Sequence, residues 1–192
     1  LPGLVNAHCH LELSHLAGRL AGDGGFVPWV EGVVASRGRF AEEDVRSAIS
    51  SAIRLLEARG TAAVGDVSNA LGHLDLLSAS RLSVVVFLEL LAWDPAKAES
   101  VLAFAEQRRA EAAVSMRPGI EVRLAAHAPH SVSPALLGLL VQGGGPAAVH
   151  LAEDVLRGNL AVGEDQLAGV GAAHAQLVEL LRGREALHAL LD

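Results

Sequence analysis

The chain has 192 residues, of which 51% are hydrophobic, and a formal net charge of −7. This composition is sufficient for a sizeable buried core, and the acidic balance argues against nucleic acid as a partner. An uncharged stretch over 124–152 is interrupted by prolines, glycines and histidines, which argues against a membrane span there. We therefore expect neither nucleic acid nor a membrane as the partner.

The cysteine content and the start of the chain bear on its location. Cys9 is the only cysteine, so no internal disulfide can form, and a reducing, cytoplasmic location is expected. No segment has the features of a signal peptide. The chain begins at Leu1, without a methionine, in what reads as a core strand, and we expect that further residues precede it.

The predicted secondary structure alternates strands with helices. The first strand begins at Leu4, and the Gly-rich stretch over 12–39 is expected to be an irregular functional loop or lid. The helix over 41–59 has acidic residues in its first turn, apolar residues at helical spacing, and Gly60 after its end,. The other predicted elements are strands over 61–67, 82–91, 121–127 and 147–151 and helices over 71–80, 95–114 and 134–141,.

This alternation predicts an α/β protein with a parallel sheet, either doubly wound or a (β/α) barrel. Polar residues at the predicted carboxyl ends of the strands favour the barrel, because those ends surround one mouth in that fold. No Gly-x-Gly-x-x-Gly segment follows the first strand, so the dinucleotide-binding alternative lacks its motif. We expect an incomplete (β/α)8 barrel of the TIM type with about five to six βα units. The polar residues are His8, His10, Asp66 to Asn69, Glu89, His127, His130, His150 and Glu153.

His8 and His10 form a candidate metal site at the end of the first strand. Residues two apart on a strand point to the same face, so two imidazoles would converge, and imidazole is a common ligand of zinc-like cations. His150, at the end of the fifth strand, could supply a third imidazole, and Glu153 could move a proton of a metal-activated water. Two other interpretations stay open. The negative charge of Glu153 could simply stabilise the N-terminus of the next helix, and His150 could be a histidine of the core.

Three segments resemble a known family. Asn6-Ala-His-Cys-His-Leu-Glu-Leu-Ser14, with Phe26-Val-Pro-Trp29 after it, is similar to the first-strand signature of the amidohydrolase superfamily. His150-Leu-Ala-Glu153 resembles its fifth-strand His-x-x-Glu, and Ala126-His127-Ala-Pro-His130-Ser131 resembles a fourth-strand segment. Over residues 1–154 the chain is most similar to the branch of cytosine, guanine and adenosine-type deaminases and triazine hydrolases. Aminodeoxyfutalosine deaminases and methylthioadenosine/S-adenosylhomocysteine deaminases come nearest.

The resemblance implies a metal-dependent deaminase, with a small-molecule substrate as its partner. His8, His10 and His150 would bind one divalent metal ion, zinc in the first place and iron as an alternative. Glu153 would carry a proton from the metal-bound water to the ring nitrogen of an aminated purine nucleoside or related heterocycle, which then releases ammonia. His127 would contact the substrate. Residue 130 would do so too, although His130 stands where the family usually has Tyr.

The family pattern is incomplete toward the end of the chain. No Gly-Thr-Asp-Ser-like segment supplies the expected eighth-strand aspartate. His188 is the one candidate for the sixth-strand histidine, but its match to the family pattern is poor and a histidine on a helix face is the favoured interpretation; His174 matches less well. We therefore expect residues 1–192 to be one partial barrel domain, with an upstream β-domain and the last strands absent.

Two alternative functions stay open. Because the expected aspartate is missing, the chain could be a non-catalytic barrel remnant. It could also be a chlorohydrolase or amide hydrolase of the same superfamily, since the same activated water could cleave those bonds.

An open parallel sheet also exposes an unpaired edge. We therefore expect a homo-oligomer, or association through the open barrel edge.

Overall fold

A computed structural model describes residues 3–20, 24–127 and 131–142, through which a parallel sheet runs. The predicted fifth strand over 147–151 lies outside these residues. The strands are β1 (Leu4–Cys9), β2 (Thr61–Ser68), β3 (Ser83–Leu90) and β4 (Ile120–Ala126). The helices are α1 (Phe26–Ser36), α2 (Glu42–Ala58), α3 (Leu74–Ala79), α4 (Ala98–Ala113) and α5 (Pro134–Gln142). Short 3-10 turns cover Leu11–Leu16 and Pro95–Lys97.

The strands lie side by side in the order of the sequence. β1 pairs with β2, β2 with β3 and β3 with β4, and all three pairings are parallel. A doubly wound sheet reverses its order at a switch point, whereas each strand of a barrel pairs with the next one along the chain. The described residues therefore form part of a (β/α) barrel wall, and the α/β prediction is confirmed.

The sheet has one face covered by helices and an opposite face that we call the interior face. On β3, Val84 and Val86 are buried beneath the helices, whereas the alternating Val85 and Phe87 lie half-buried on the interior face. α2 and α4 pack on the covered face, to which α2 contributes the buried Ile49. Burying an aliphatic side chain of this kind stabilises the fold by about 1.5–3 kcal/mol, so the core lies between the sheet and its helices.

The helix predicted over 41–59 is present as α2. Its first turn carries Glu42, Glu43 and Asp44, whose negative charges favour the N-terminal end of a helix. The chain leaves the helix through Gly60 at φ +82°, a left-handed conformation that glycine adopts without steric cost.

The stretch over 12–39 is not irregular, as the sequence suggested, but contains a 3-10 turn and α1. Pro28 lies in the first turn of α1, where its missing N–H removes no intrahelical hydrogen bond. The helix is rich in apolar residues, so its proline and the neighbouring glycines mark the start of a helix and not a loop. A smaller correction applies to 95–114, where the 3-10 turn Pro95–Lys97 precedes α4.

No helix within residues 3–20, 24–127 and 131–142 is both long enough and apolar enough to cross a membrane.

Candidate metal and substrate site

The imidazoles of His8 and His10 converge at the carboxyl end of β1. Their Nε2 atoms are 3.3 Å apart, and the ring planes meet at 65° with the centroids separated by 5.2 Å. Two nitrogen ligands held about 2.0–2.1 Å from a tetrahedral zinc ion lie roughly 3.3–3.4 Å apart. The two histidines therefore fit a shared divalent metal ion in both their chemistry and their separation.

A β-bulge in β1 determines which face these histidines occupy. Asn6 pairs with Val64, and Cys9 pairs with Asp66, so three steps along β1 match two steps along β2. Val64 and Asp66 are both fully buried and share one face, so Asn6 and Cys9 lie on that covered face as well. The histidines on either side of Cys9 accordingly point to the interior face.

Cys9 lies on the opposite side of the strand from the two histidines. Its Sγ is 4.0 Å from Oδ1 of Asp66. Burial, with a smaller effect from the negative charge of Asp66, raises the pKa of the Cys9 thiol to about 12. The thiol is therefore protonated at neutral pH and is a poor metal ligand in this conformation, because the thiolate is the ligating form.

Glu89, at the end of β3, brings a carboxyl group to the same interior face. Burial raises its pKa, and the nearby His10 acts in the opposite direction. A carboxyl group with a raised pKa can hold a proton at a higher pH than an exposed one, so it is available as a hydrogen-bond donor or acceptor. The sequence indicated Glu89 only as a polar residue at a strand end, since nothing local marked it as a neighbour of the histidines.

Glu12 links the turn after β1 to the end of β2. Its carboxylate accepts hydrogen bonds from Ser68 Oγ at 2.8 Å, from the Asn69 N–H at 3.1 Å and from the Ala70 N–H at 3.4 Å. Charge-assisted bonds of this kind are stronger than neutral ones. This carboxylate therefore holds two segments of the barrel mouth together.

A buried pair, Asp66 and His73, lies on the side of the sheet opposite the interior face. Asp66 is 0% exposed and His73 is 1% exposed, and Oδ2 of Asp66 is 2.6 Å from Nε2 of His73. The other carboxylate oxygen, Oδ1, accepts a hydrogen bond from the Leu11 N–H at 2.8 Å. Asp66 thus connects His73, at the start of α3, to Leu11, which follows His10.

His127 lies just beyond the end of β4, at the same edge of the sheet as the histidine pair. Its backbone N–H donates to the Leu90 carbonyl, and its Nδ1 is 2.7 Å from Ser131 Oγ. Partial burial of the imidazole lowers the pKa of His127. A neutral imidazole at the mouth suits hydrogen bonding to a polar substrate.

The remaining candidate residues, His130, His150, Glu153 and His188, lie outside the described residues. Over 3–20, 24–127 and 131–142, the structure contains no group of three or more His, Cys, Asp or Glu side chains placed to hold a metal ion. The structure therefore brings two of the three predicted ligands together and leaves the assignment of the third as a prediction. The sequence indicated Asp66 only as a polar residue at a strand end and did not reveal the roles of Glu12 and His73. The contacts of Glu12 with Ser68 and of Asp66 with the Leu11 N–H join residues that are 56 and 55 positions apart.

Two converging histidines at the carboxyl edge of a sequential parallel sheet define a barrel protein with a candidate metal site, and the comparisons with known proteins define the family. The Amidohydrolase family model matches residues 1–190, so the chain belongs to the amidohydrolase family. Members of this family generally use a divalent metal ion. The resemblance seen in the sequence is thereby confirmed.

Three relatives place the chain more closely within the family. An adenosine deaminase of Helicobacter pylori is 36% identical over 133 residues, which are 69% of this chain and 31% of that protein. An aminodeoxyfutalosine deaminase of Deinococcus radiodurans is 34% identical over 157 residues, which are 79% of this chain and 36% of that protein. The crystal structure of Helicobacter pylori aminofutalosine deaminase in complex with methylthio-coformycin has a TM-score of 0.61 and 30% identity, covering 74% of this chain and 35% of that one. The chain thus spans about a third of the length of these relatives.

Proposed function

We propose that this chain is part of a metal-dependent hydrolase that deaminates an aminated purine nucleoside or related heterocycle of the adenosine or aminodeoxyfutalosine type. The observation that carries the proposal is the convergence of the His8 and His10 Nε2 atoms at 3.3 Å on the interior face. The deaminase names of the relatives support the substrate class.

The proposed metal ligands are His8, His10 and His150, with zinc as the expected ion and iron as the alternative. When bound, such an ion lowers the pKa of a coordinated water to about 7 and so supplies a nucleophile at neutral pH. Glu153 is proposed to carry the proton to the ring nitrogen that becomes protonated as ammonia leaves. His188 is a tentative further site residue.

Substrate contacts are assigned to the mouth of the barrel. His127 and His130 follow β4, and we propose that they hydrogen-bond the heterocycle. Glu89 lies on the interior face near His10, and its carboxyl group is proposed to contact a polar group of the substrate. These side chains orient the ring so that its amino-bearing carbon faces the water nucleophile.

Metal binding tests the proposal directly. We expect the purified 192-residue chain to bind Zn²⁺ or Co²⁺, and His8→Ala to weaken binding by at least about tenfold, because it removes a direct ligand. His15→Ala is the matched control, since His15 packs against Phe40 away from this pair. Metal content at background in the wild-type protein, or equal affinity in both variants, would refute the metal site.

The product released identifies the reaction. Ammonia from an adenosine-type or aminodeoxyfutalosine-type substrate is expected for the deaminase. Chloride or a carboxylate from another heterocycle would instead identify a chlorohydrolase or amide hydrolase. A metal-loaded chain that releases no product would favour a non-catalytic remnant.

The proposal extends to the domain, its location and its association. Residues 1–192 are proposed to be one partial barrel domain that works in the cytoplasm. The cytoplasmic location is supported by the single cysteine with its protonated, partly buried thiol.

Among the described strands, β1 and β4 lie at the two edges of the sheet. Association through such an open edge, including a homo-oligomer, is proposed because unpaired strand edges favour pairing with another strand.

A further inference from the structure

We propose that Gly65 and Asp66 are positioning residues that maintain the β1 bulge and thereby turn His8 and His10 onto the interior face. The inference deepens the proposed metal site and rests on that proposed function for its metal-binding readout. Its structural readout, the convergence of the two imidazoles, is independent of any metal.

The first support is the space that Gly65 leaves for the bulge. A Cβ atom at position 65 would lie 2.4 Å from the carbonyl oxygen of Ala7 and 3.0 Å from its carbonyl carbon. It would also lie 3.2 Å from Cε2 of Phe87. The close neighbour is backbone, which cannot rotate away as a side chain can. Glycine is the residue that permits such close backbone approach within a strand.

The second support is the anchor that Asp66 provides just after the bulge. One carboxylate oxygen accepts from the Leu11 N–H at 2.8 Å, and the other lies 2.6 Å from the His73 imidazole. Both side chains of the pair are almost completely buried, so water cannot replace either interaction. Asp66 therefore fixes the backbone on the carboxyl side of His10, while Gly65 accommodates the backbone on the amino side of His8.

The effect of the bulge on His8 and His10 follows from the way side chains alternate between the two faces of a regular strand. Asn6 lies on the covered face, because it pairs with the buried Val64. In a strand without a bulge, His8 and His10 would follow Asn6 onto that face, because side chains alternate with a period of two. Both imidazoles would then enter the apolar core and be removed from the mouth. The inserted residue reverses the alternation, a recognised role of bulges beside functional sites.

The principal test is Gly65→Ala, with Gly72→Ala as its matched control. A Cβ at Gly72 meets no atom within 4 Å, so the control makes the same chemical change in open space. In crystals of metal-free protein, we expect Gly65→Ala to separate the His8 and His10 Nε2 atoms and Gly72→Ala to retain their convergence. Affinity for Co²⁺ is expected to fall by at least about tenfold in Gly65→Ala, with an altered visible spectrum at saturating Co²⁺.

A pair of substitutions at Asp66 provides the second test and decides the question if Gly65→Ala does not fold. Asp66→Asn retains an acceptor for the Leu11 N–H and is expected to keep near wild-type Co²⁺ affinity and spectrum. Asp66→Ala removes the acceptor and is expected to lose about tenfold in affinity. Val86→Ala, a buried change on β3, which does not pair with β1, controls for a general loss of stability.

The outcomes separate this inference from the proposed function. If wild-type protein binds no metal but its imidazoles converge and Gly65→Ala separates them, the metal proposal fails and the positioning inference is supported. Convergence retained in Gly65→Ala would overturn the inference. So would a Co²⁺ affinity of Asp66→Ala no lower than that of Val86→Ala.

Discussion

At the scale of single residues, the site depends on which face of β1 each side chain occupies. Sequence spacing was sufficient to predict that His8 and His10 share a face, because the strand period is two. It could not predict which face, because the bulge arises from the register between β1 and β2, about sixty positions away in the chain,. The role of Asp66 was hidden for a similar reason, since its contact with the Leu11 N–H spans 55 positions.

The thiol of Cys9 predicts a pH dependence of stability in the metal-free protein. Its pKa is raised by burial from 9.0 to about 12, so the folded state binds this proton more tightly than the unfolded state. The resulting stability is present below pH 9 and is lost as the pH rises toward 12. We expect the free energy of unfolding in urea to fall above pH 9. Because the thiol is only partly buried and solvent screens part of the effect, the slope should stay below the single-proton value of about 1.4 kcal/mol per pH unit.

The control for this dependence is Cys9→Ala. The chain has no tyrosine and a single lysine, Lys97, so few other groups titrate in this range. The alkaline loss should be smaller in Cys9→Ala than in the wild type. Equal slopes above pH 9 would show that the thiol is not the group responsible.

At the scale of elements, the local sequence predicted most of the strands and helices. Continuous apolar runs identified β3, and acidic residues with a terminal glycine identified α2. The prediction was wrong for α1, because glycines and a proline outweighed its apolar content. The local sequence could not predict the side-chain contacts between elements, since contacts such as that of Glu12 with Ser68 connect residues of different elements.

Glu12 gives a prediction about that connection. Glu12→Ala leaves three donors of the β2–α3 segment without their carboxylate acceptor, and hydrogen bonds to a charged group contribute about 1.5–3 kcal/mol. Because Glu12 is partly exposed, we expect a loss near the lower end of that range in urea unfolding. Glu31→Ala, an exposed change on α1, should have little effect. Similar losses in both variants would contradict the proposed link.

At the scale of the whole molecule, the alternation of strands and helices was enough to predict the α/β class and the parallel sheet. The choice of a barrel rested on polar residues at the strand ends, and the sequential strand order confirmed it. The predicted third ligand could not be placed with the pair, because His150 lies outside the described residues.

The exposed edge at β1 predicts a change in association. Leu4 and Val5 are 63% and 70% exposed on this edge strand, and charged side chains on edge strands oppose pairing with other chains. We expect Val5→Lys to shift the chain toward the monomer in sedimentation velocity at equal concentration. An unchanged distribution would show that this edge does not mediate self-association. Val114→Lys, on a residue that is 89% exposed beyond α4, is the control.

The order of the four strands also bears on how the chain reaches its native state. Each strand pairs with the next strand along the chain, but the pairing is parallel and joins residues far apart in sequence, such as Asn6 and Val64, and contacts of this kind are associated with slow folding. During synthesis, which proceeds from the N-terminus, β1 has no partner until β2 emerges. The bulge and its two supports can therefore assemble on the ribosome before the rest of the wall is made.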